Sequence, residues 1–261
     1  MPEPEYSPTE IMTVAAARKL QNGTVCFVGI GLPSAAANLA RTTHAPEIVL
    51  IYESGTIGAK PDVLPLSIGD GELAETADTV VSVPEIFRYW LQGGRVDVGF
   101  LGAAQIDKFG NINTTVIGGT YDAPRTRLPG AGGAPEIATA AKEVAIILRH
   151  SKRAFVEKLD FVTSSGYFAK PSGNGNSRGR GPTTVISDLG IIVSDPATNE
   201  LVLTALHPGV TVDQVKAATG WALKVAPRLE VTPKPTSAEL AALRDLHART
   251  AAAHGSAASS E

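Results

Sequence analysis

The 261-residue sequence predicts an α/β fold: an open, largely parallel sheet flanked by helices, with a late β-hairpin and a C-terminal helix. Three observations carry that reading. Short apolar runs alternate with stretches of helical periodicity, the pattern of β–α–β units. The run at residues 47–52 is apolar nearly throughout (Ile48, Val49, Leu50, Ile51), as strands covered on both faces are. The 26 glycines and 18 prolines fall largely where such runs stop, so they mark turns between elements.

Ser7 and Glu10 stand at capping-box spacing around Pro8, and Ile11, Val14, Ala15 and Leu20 share a face, which predicts a first helix ended by Asn22-Gly23. Residues 24–28 form a β-branched and aromatic strand, a Gly29-Ile30-Gly31-Leu32-Pro33-Ser34 turn follows, and residues 35–41 continue as an Ala-rich helix. After the 47–52 strand, residues 84–92 read as a helix and 96–101 as a strand. Asp107 to Asn111 is a turn, so 112–117 returns as a strand. A glycine loop at 130–133 precedes a helix at 135–141, and 144–148 and 154–162 are further strands. Runs at 185–194 and 201–206 flank Asp195-Pro196-Ala197, which predicts the late hairpin. Capping-box pairs Thr211/Gln214 and Thr236/Glu239 open the last two helices, the second after a linker at 231–235. Residues 1–250 read as one domain and 251–261, small and polar, as a frayed tail; residues 164–184, rich in Gly, Ser, Asn and Arg, read as a polar loop.

Charge and composition exclude several function classes. With 23 basic and 26 acidic residues the net charge is −3, which gives no electrostatic reason for nucleic acid as a partner. One cysteine, Cys26, rules out a disulfide framework and a cysteine-held metal cluster. The five histidines (His44, His150, His207, His247, His254) include no pair at ligand spacing, so no metal is expected. No apolar stretch is long enough for a membrane span, and Met1-Pro2-Glu3-Pro4-Glu5 lacks a secretory pattern; a soluble, cytoplasmic protein is expected.

Three features can carry chemistry. Glu53 ends the 47–52 strand, and ligands of open parallel sheets sit beyond the carboxyl ends of strands; a solvated or capping carboxylate is the plainer alternative. The Gly29-x-Gly31-x-x-Ser34 turn, with Glu53 downstream, imitates a dinucleotide fingerprint or is simply a tight strand-to-helix turn. Gly130-Ala131-Gly132-Gly133 precedes a helix start, so its N–H groups suit an oxyanion, or the loop is a plain connector. Residues 175–179 spell a nucleophile elbow without its strand–turn–helix setting, Arg178 and Arg180 read as solvated, and Cys26 reads as a small core residue.

Residues 25–34, 51–55, 100–107 with 110–113, and 129–134 together resemble the B subunits of class I coenzyme A transferases, in the glutaconate CoA-transferase group, from Ser7 to Arg249. Residues 64–73 look most like members acting on 3-oxoadipate. The resemblance implies that Glu53 is the catalytic glutamate, carrying CoA as a glutamyl thioester between succinyl-CoA and 3-oxoadipate in aromatic-compound breakdown. It implies a separate A subunit in a heterodimer or heterotetramer, acyl-CoA and carboxylic acid substrates, and no cofactor beyond the CoA of the substrate. For the oxyanions of this chemistry the expected donors are the N–H groups of Gly132 and Gly133, with the Gln105 amide as a further donor or substrate contact. Glu53 must then be ionised and only partly desolvated. An acyl-CoA hydrolase or ring-opening enzyme on the same scaffold, and an NAD-dependent oxidoreductase, are the rival readings.

Overall fold

The computed structural model describes residues 6–167, 179 and 181–255. Arg178, Arg180 and most of the 164–184 loop and 175–179 motif therefore lie outside the described residues, as does the tail beyond residue 255. Helix α1 (Pro8–Ala17) opens on the reciprocal Ser7–Glu10 capping box and leads to β1 (Val25–Val28), α2 (Leu32–Thr42) and β2 (Val49–Ile51). A tight reversal gives β3 (Thr56–Ile57), followed by α3 (Gly71–Glu75) and β4 (Thr79–Val80). The short α4 (Val83–Glu85), with its own Ser82–Glu85 capping box, runs into a π-helix at Ile86–Leu91. Next come β5 (Val98–Leu101), a small pair β6 (Gln105–Ile106) and β7 (Ile112–Asn113), and a second pair β8 (Val116–Gly119) and β9 (Pro124–Arg127). Helix α5 (Ala134–Ala140), β10 (Glu143–Ile147), β11 (Pro182–Ile186), β12 (Gly190–Ser194) and β13 (Leu201–Leu206) follow. The chain closes with α6 (Val212–Ala217), β14 (Lys224–Val231) and α7 (Ser237–His254).

One ten-stranded sheet in the order β14-β13-β12-β11-β10-β5-β1-β2-β3-β4 organises the molecule. Its centre, β11-β10-β5-β1-β2, is parallel throughout, and antiparallel pairs flank it on both sides. Side chains alternate across the sheet as strand geometry requires. Cys26 and Val28 of β1 join the core beneath α1, α2 and α7, with Met12, Leu39, Tyr52 and Leu243. Phe27 points to the other core, with Ile51, Ile86, Leu101 and Ile137 beneath the π-helix and α5. Helix α7 is clasped onto α1 by two reciprocal ion pairs. Arg18 grips Glu239 with Nε and Nη2, both at 2.7 Å, while Arg244 Nε meets Glu10 Oε1 at 2.6 Å.

Several expectations from sequence need correction. Residues 154–162 are not a strand; after an isolated bridge from Phe155 to Ile106 they form an irregular strap, because Glu157, Lys158 and Asp160 interrupt the apolar pattern. The backbone bonds at its two ends serve the β6–β7 pair instead, from Val156 N to Ile106 O and Thr163 N to Ile112 O. The predicted 185–194 strand is two strands: Ser187 Oγ accepts from the N–H groups of Leu189 and Gly190 and turns the chain back. The hairpin across Asp195 is present as β12–β13. The 112–117 strand divides into β7 and β8, with Thr114 and Thr115 between them. Part of the predicted linker belongs to β14, an exposed edge strand whose charged sequence hid it. Helix α7 continues past residue 251 to His254.

Candidate active site

Strand β2 delivers Glu53. Tyr52, the residue after the strand, is buried, its Oη 3.2 Å from Ser34 Oγ and 3.4 Å from Asn38 Nδ2 on α2. Burial pushes its phenol above the ordinary value, against the lowering effect of those bonds, so it serves as a neutral anchor. The chain then reverses: Gly55 N donates to Tyr52 O at 3.0 Å, and Tyr52 N to Thr56 O at 3.2 Å. Gly55 has φ +97°, and a Cβ there would lie 2.0 Å from Val81 O, so the turn has room only for glycine. The result is a rigid tip presenting a partly exposed Glu53. Beside it, the Ser54 hydroxyl is buried with no hydrogen-bond partner among the described residues.

The glycine loop comes to meet this carboxylate. Thr114 fixes its start, accepting from Gly130 N at 2.9 Å and donating through Oγ1 to Gly130 O at 2.8 Å. Thr163 Oγ1 on the strap in turn accepts from Thr114 N at 2.9 Å. At the loop's end, Gly133 N donates to Glu53 Oε1 at 3.0 Å. A Cβ on Gly133 would meet that oxygen at 2.8 Å and Phe87 Cζ at 2.6 Å, and one on Gly132 would lie 3.4 Å from Oε2. The structure therefore brings Glu53, Gly132 and Gly133 together. Phe87, on the π-helix, was not legible in the sequence; its ring packs against Phe27, centroids 5.7 Å apart, and walls the site from behind Gly133. The π-helix that carries it, an insertion often found at functional sites, is visible only in the structure. Gln92 Nε2 reaches Glu136 and ties this helix to α5.

Gln105 is engaged elsewhere. Its Nε2 donates to Asp160 Oδ2 at 2.8 Å, and its Oε1 accepts from Asn113 Nδ2 at 2.8 Å and Asp160 N at 3.2 Å. These bonds hold the strap against β6–β7. The Gly29 turn packs inward, with Gly29 N bonded to Phe100 O at 2.9 Å and Ser34 buried against Tyr52. Cys26 is enclosed in β1, and burial pushes its thiol far above the ordinary value. His150 and His207 are also buried; desolvation takes His150 down to about 4, and both act as neutral struts bonded to Ser187. Among the described residues no cluster of His, Cys, Asp and Glu could hold a metal ion, and no helix is long and apolar enough to cross a membrane. Two surface depressions of about 310 Å³ each lie around Arg18, Ile186 and Pro233, and around Lys19, Asp97 and Lys142; neither includes Glu53.

A half-buried carboxylate at the carboxyl end of a parallel strand, with a backbone N–H on one oxygen and the other left for attack, suits covalent acyl transfer. Comparison with known proteins identifies the family. The sequence is 65% identical over 257 residues to the B subunit of 3-oxoadipate CoA-transferase from Pseudomonas knackmussii, covering 96% of each chain. It is 36% identical over 244 residues to the B subunit of glutaconate CoA-transferase from Acidaminococcus fermentans, covering 90% of this chain and 91% of that one. The crystal structure of glutaconate coenzyme A-transferase from Acidaminococcus fermentans superposes with a TM-score of 0.83 at 33% identity, over 92% of this chain and 94% of that one. Residues 9–218 match the family model described as coenzyme A transferase. The chain belongs to the coenzyme A transferase family.

Proposed function

We propose that this chain is the B subunit of a cytoplasmic enzyme that moves CoA from succinyl-CoA to 3-oxoadipate, within the breakdown of aromatic compounds, using Glu53 as the covalent carrier. The observation that carries this reading is the 3.0 Å hydrogen bond from Gly133 N to Glu53 Oε1. The choice of acids rests on the 65% identity to a 3-oxoadipate CoA-transferase chain.

The chemistry follows from the two oxygens having different surroundings. Oε2, the oxygen without the Gly133 bond, attacks the succinyl thioester carbonyl and the CoA thiolate leaves, giving a succinyl–Glu53 anhydride. The thiolate then attacks Glu53 Cδ. Charge collects on Oε1, where the Gly133 N–H already sits, and succinate departs to leave a glutamyl-CoA thioester. The carboxylate of 3-oxoadipate attacks Cδ and expels the thiolate, which then attacks the new acyl carbon and frees Glu53. Thioester energy is conserved as long as water is excluded. Phe87 dries one side. Glu53 is still partly exposed, and the similarity to B subunits of two-subunit transferases supports a site completed by an A subunit. CoA enters as part of the substrate, and no resident cofactor has a role in these steps.

The test uses the chain assembled with its A subunit. Treatment with succinyl-CoA and then borohydride should convert Glu53 alone to the alcohol, read by peptide mass spectrometry. Glu53→Ala should lose transferase activity by about 10³-fold or more. Near-full activity of that variant, or an active enzyme in which Glu53 is never reduced, overturns the reading. Release of free CoA without an acceptor acid would point to a hydrolase instead.

A further inference from the structure

The β8–β9 hairpin stands off the main sheet, its two strands pairing only with each other. Its base is built into the site: Leu128 N donates to Thr115 O at 3.0 Å, and Thr114 holds Gly130 of the glycine loop. Arg125 and Arg127, two apart on β9, share one face of the ribbon and are exposed. Neither forms an ion pair among the described residues, and nor does the neighbouring Asp122. Arg127 is tethered, while Arg125 packs along the ribbon. Arg125 lies flat along Gly118 of the opposite strand, its Cζ 3.6 Å from where a Cβ would be. Arg127 donates to Tyr121 O, and its Cζ lies 4.8 Å from the Tyr121 ring centroid. That ring packs against Phe161 of the strap, centroids 5.7 Å apart, yet stays 56% exposed.

A tyrosine more than half exposed, beside two arginines with no ion-pair partner among the described residues, is the chemistry that takes a phosphorylated purine nucleotide: apolar contact for the base, forked N–H donors for the phosphates. Resting on the transferase reading above, we propose that this hairpin seats the phosphorylated adenine nucleotide end of the acyl-CoA substrate, with Arg125 and Arg127 on its phosphates and Tyr121 against the adenine. The spacing fits. Arg127 is six residues from Gly133, so at most about 20 Å of chain separates it from the loop that touches Glu53, comparable with an extended pantetheine arm. The nucleotide would thus be held on the same covalent unit that supplies the oxyanion donor.

The experiment compares two donors, succinyl-CoA and succinyl-pantetheine, on the assembled enzyme with and without Arg125→Ala/Arg127→Ala. The ratio of kcat/KM for the CoA donor over the pantetheine donor should fall by about tenfold or more in the double variant. A direct titration with adenosine 3′,5′-bisphosphate should show binding to the wild type, weakening with salt, and its loss in the variant. An unchanged donor ratio, or a wild type that binds no nucleotide, overturns the proposal. So does failure of the variant to assemble with the A subunit, which would make the hairpin a docking surface. Nucleotide binding through the arginines in a protein without transferase activity would instead sustain the hairpin and overturn the reaction.

Discussion

At the scale of single residues, the site depends on clearance measured in tenths of an ångström. Gly133 fits between the Phe87 ring and Glu53 only because it has no side chain. Gly133→Ala should fold normally yet lower kcat by about 10²-fold, since the donor is pushed off the carboxylate oxygen. Adding Phe87→Leu should recover part of the loss by opening the far wall. Steady-state kinetics on the assembled enzyme decide; a fully active single variant would mean the contact has no bearing on rate. Glu53, Gly132 and Gly133 stood out in the sequence as a carboxylate at a strand end and a glycine run before a helix, each with a plainer alternative; the family resemblance singled them out, and the structure brings the three together. Phe87 did not stand out, since an aromatic at helical spacing reads as core, and the extra residue of a π-helix leaves no trace in a periodicity count. Gln105 stood out by its place among family-like residues, and that placement carries no information on where an amide points.

At the scale of elements, the glycine loop is held by its neighbours. Thr114 clamps Gly130 in both directions, and Thr163 on the strap holds Thr114. Thr114→Val removes the side-chain bond at almost constant volume. It should cost about 1 kcal/mol of stability and lower kcat about tenfold with KM little changed, while Thr114→Ser stays close to wild type. Denaturant melts and kinetics measured together would separate positioning from simple destabilisation, which would move stability without kcat. The central strands and the capped helices were readable, because buried parallel strands are apolar runs and capping boxes are local. The strap and β14 were not, because their backbone bonds go to partners well back along the chain; the local pairs β6–β7 and β8–β9 were not, because strands this short and mixed in polarity leave little pattern.

At the scale of the whole molecule, the α1–α7 clasp should loosen in acid. The Arg244 guanidinium holds Glu10 down to about 2. At Glu239 burial works upward, and Arg18 with the Thr236 cap overcomes it, again to about 2. Both carboxyls lie below the ordinary 4.5, so their stabilisation is complete above that pH and is lost as pH falls from 4.5 towards 2. Arg18 and Glu239 are partly exposed, so solvent screening leaves that pair about 1 kcal/mol, or about 2–4 °C in Tm for a chain of this size. Arg18→Met with Arg244→Met should therefore lower Tm at neutral pH and converge with the wild type near pH 2. Parallel Tm curves across that range would show that other groups set the acid limit.

The same clasp has a consequence for synthesis. Arg244 follows Glu10 by 234 residues, so on the ribosome about 10–50 s separate the two partners at ordinary elongation rates. Throughout that interval the first helix waits with its arginine and glutamate unmatched and the cover of α7 missing. A chain that stops short of Ser237 never gains that cover, and it offers to proteases and chaperones the surface that a finished chain conceals.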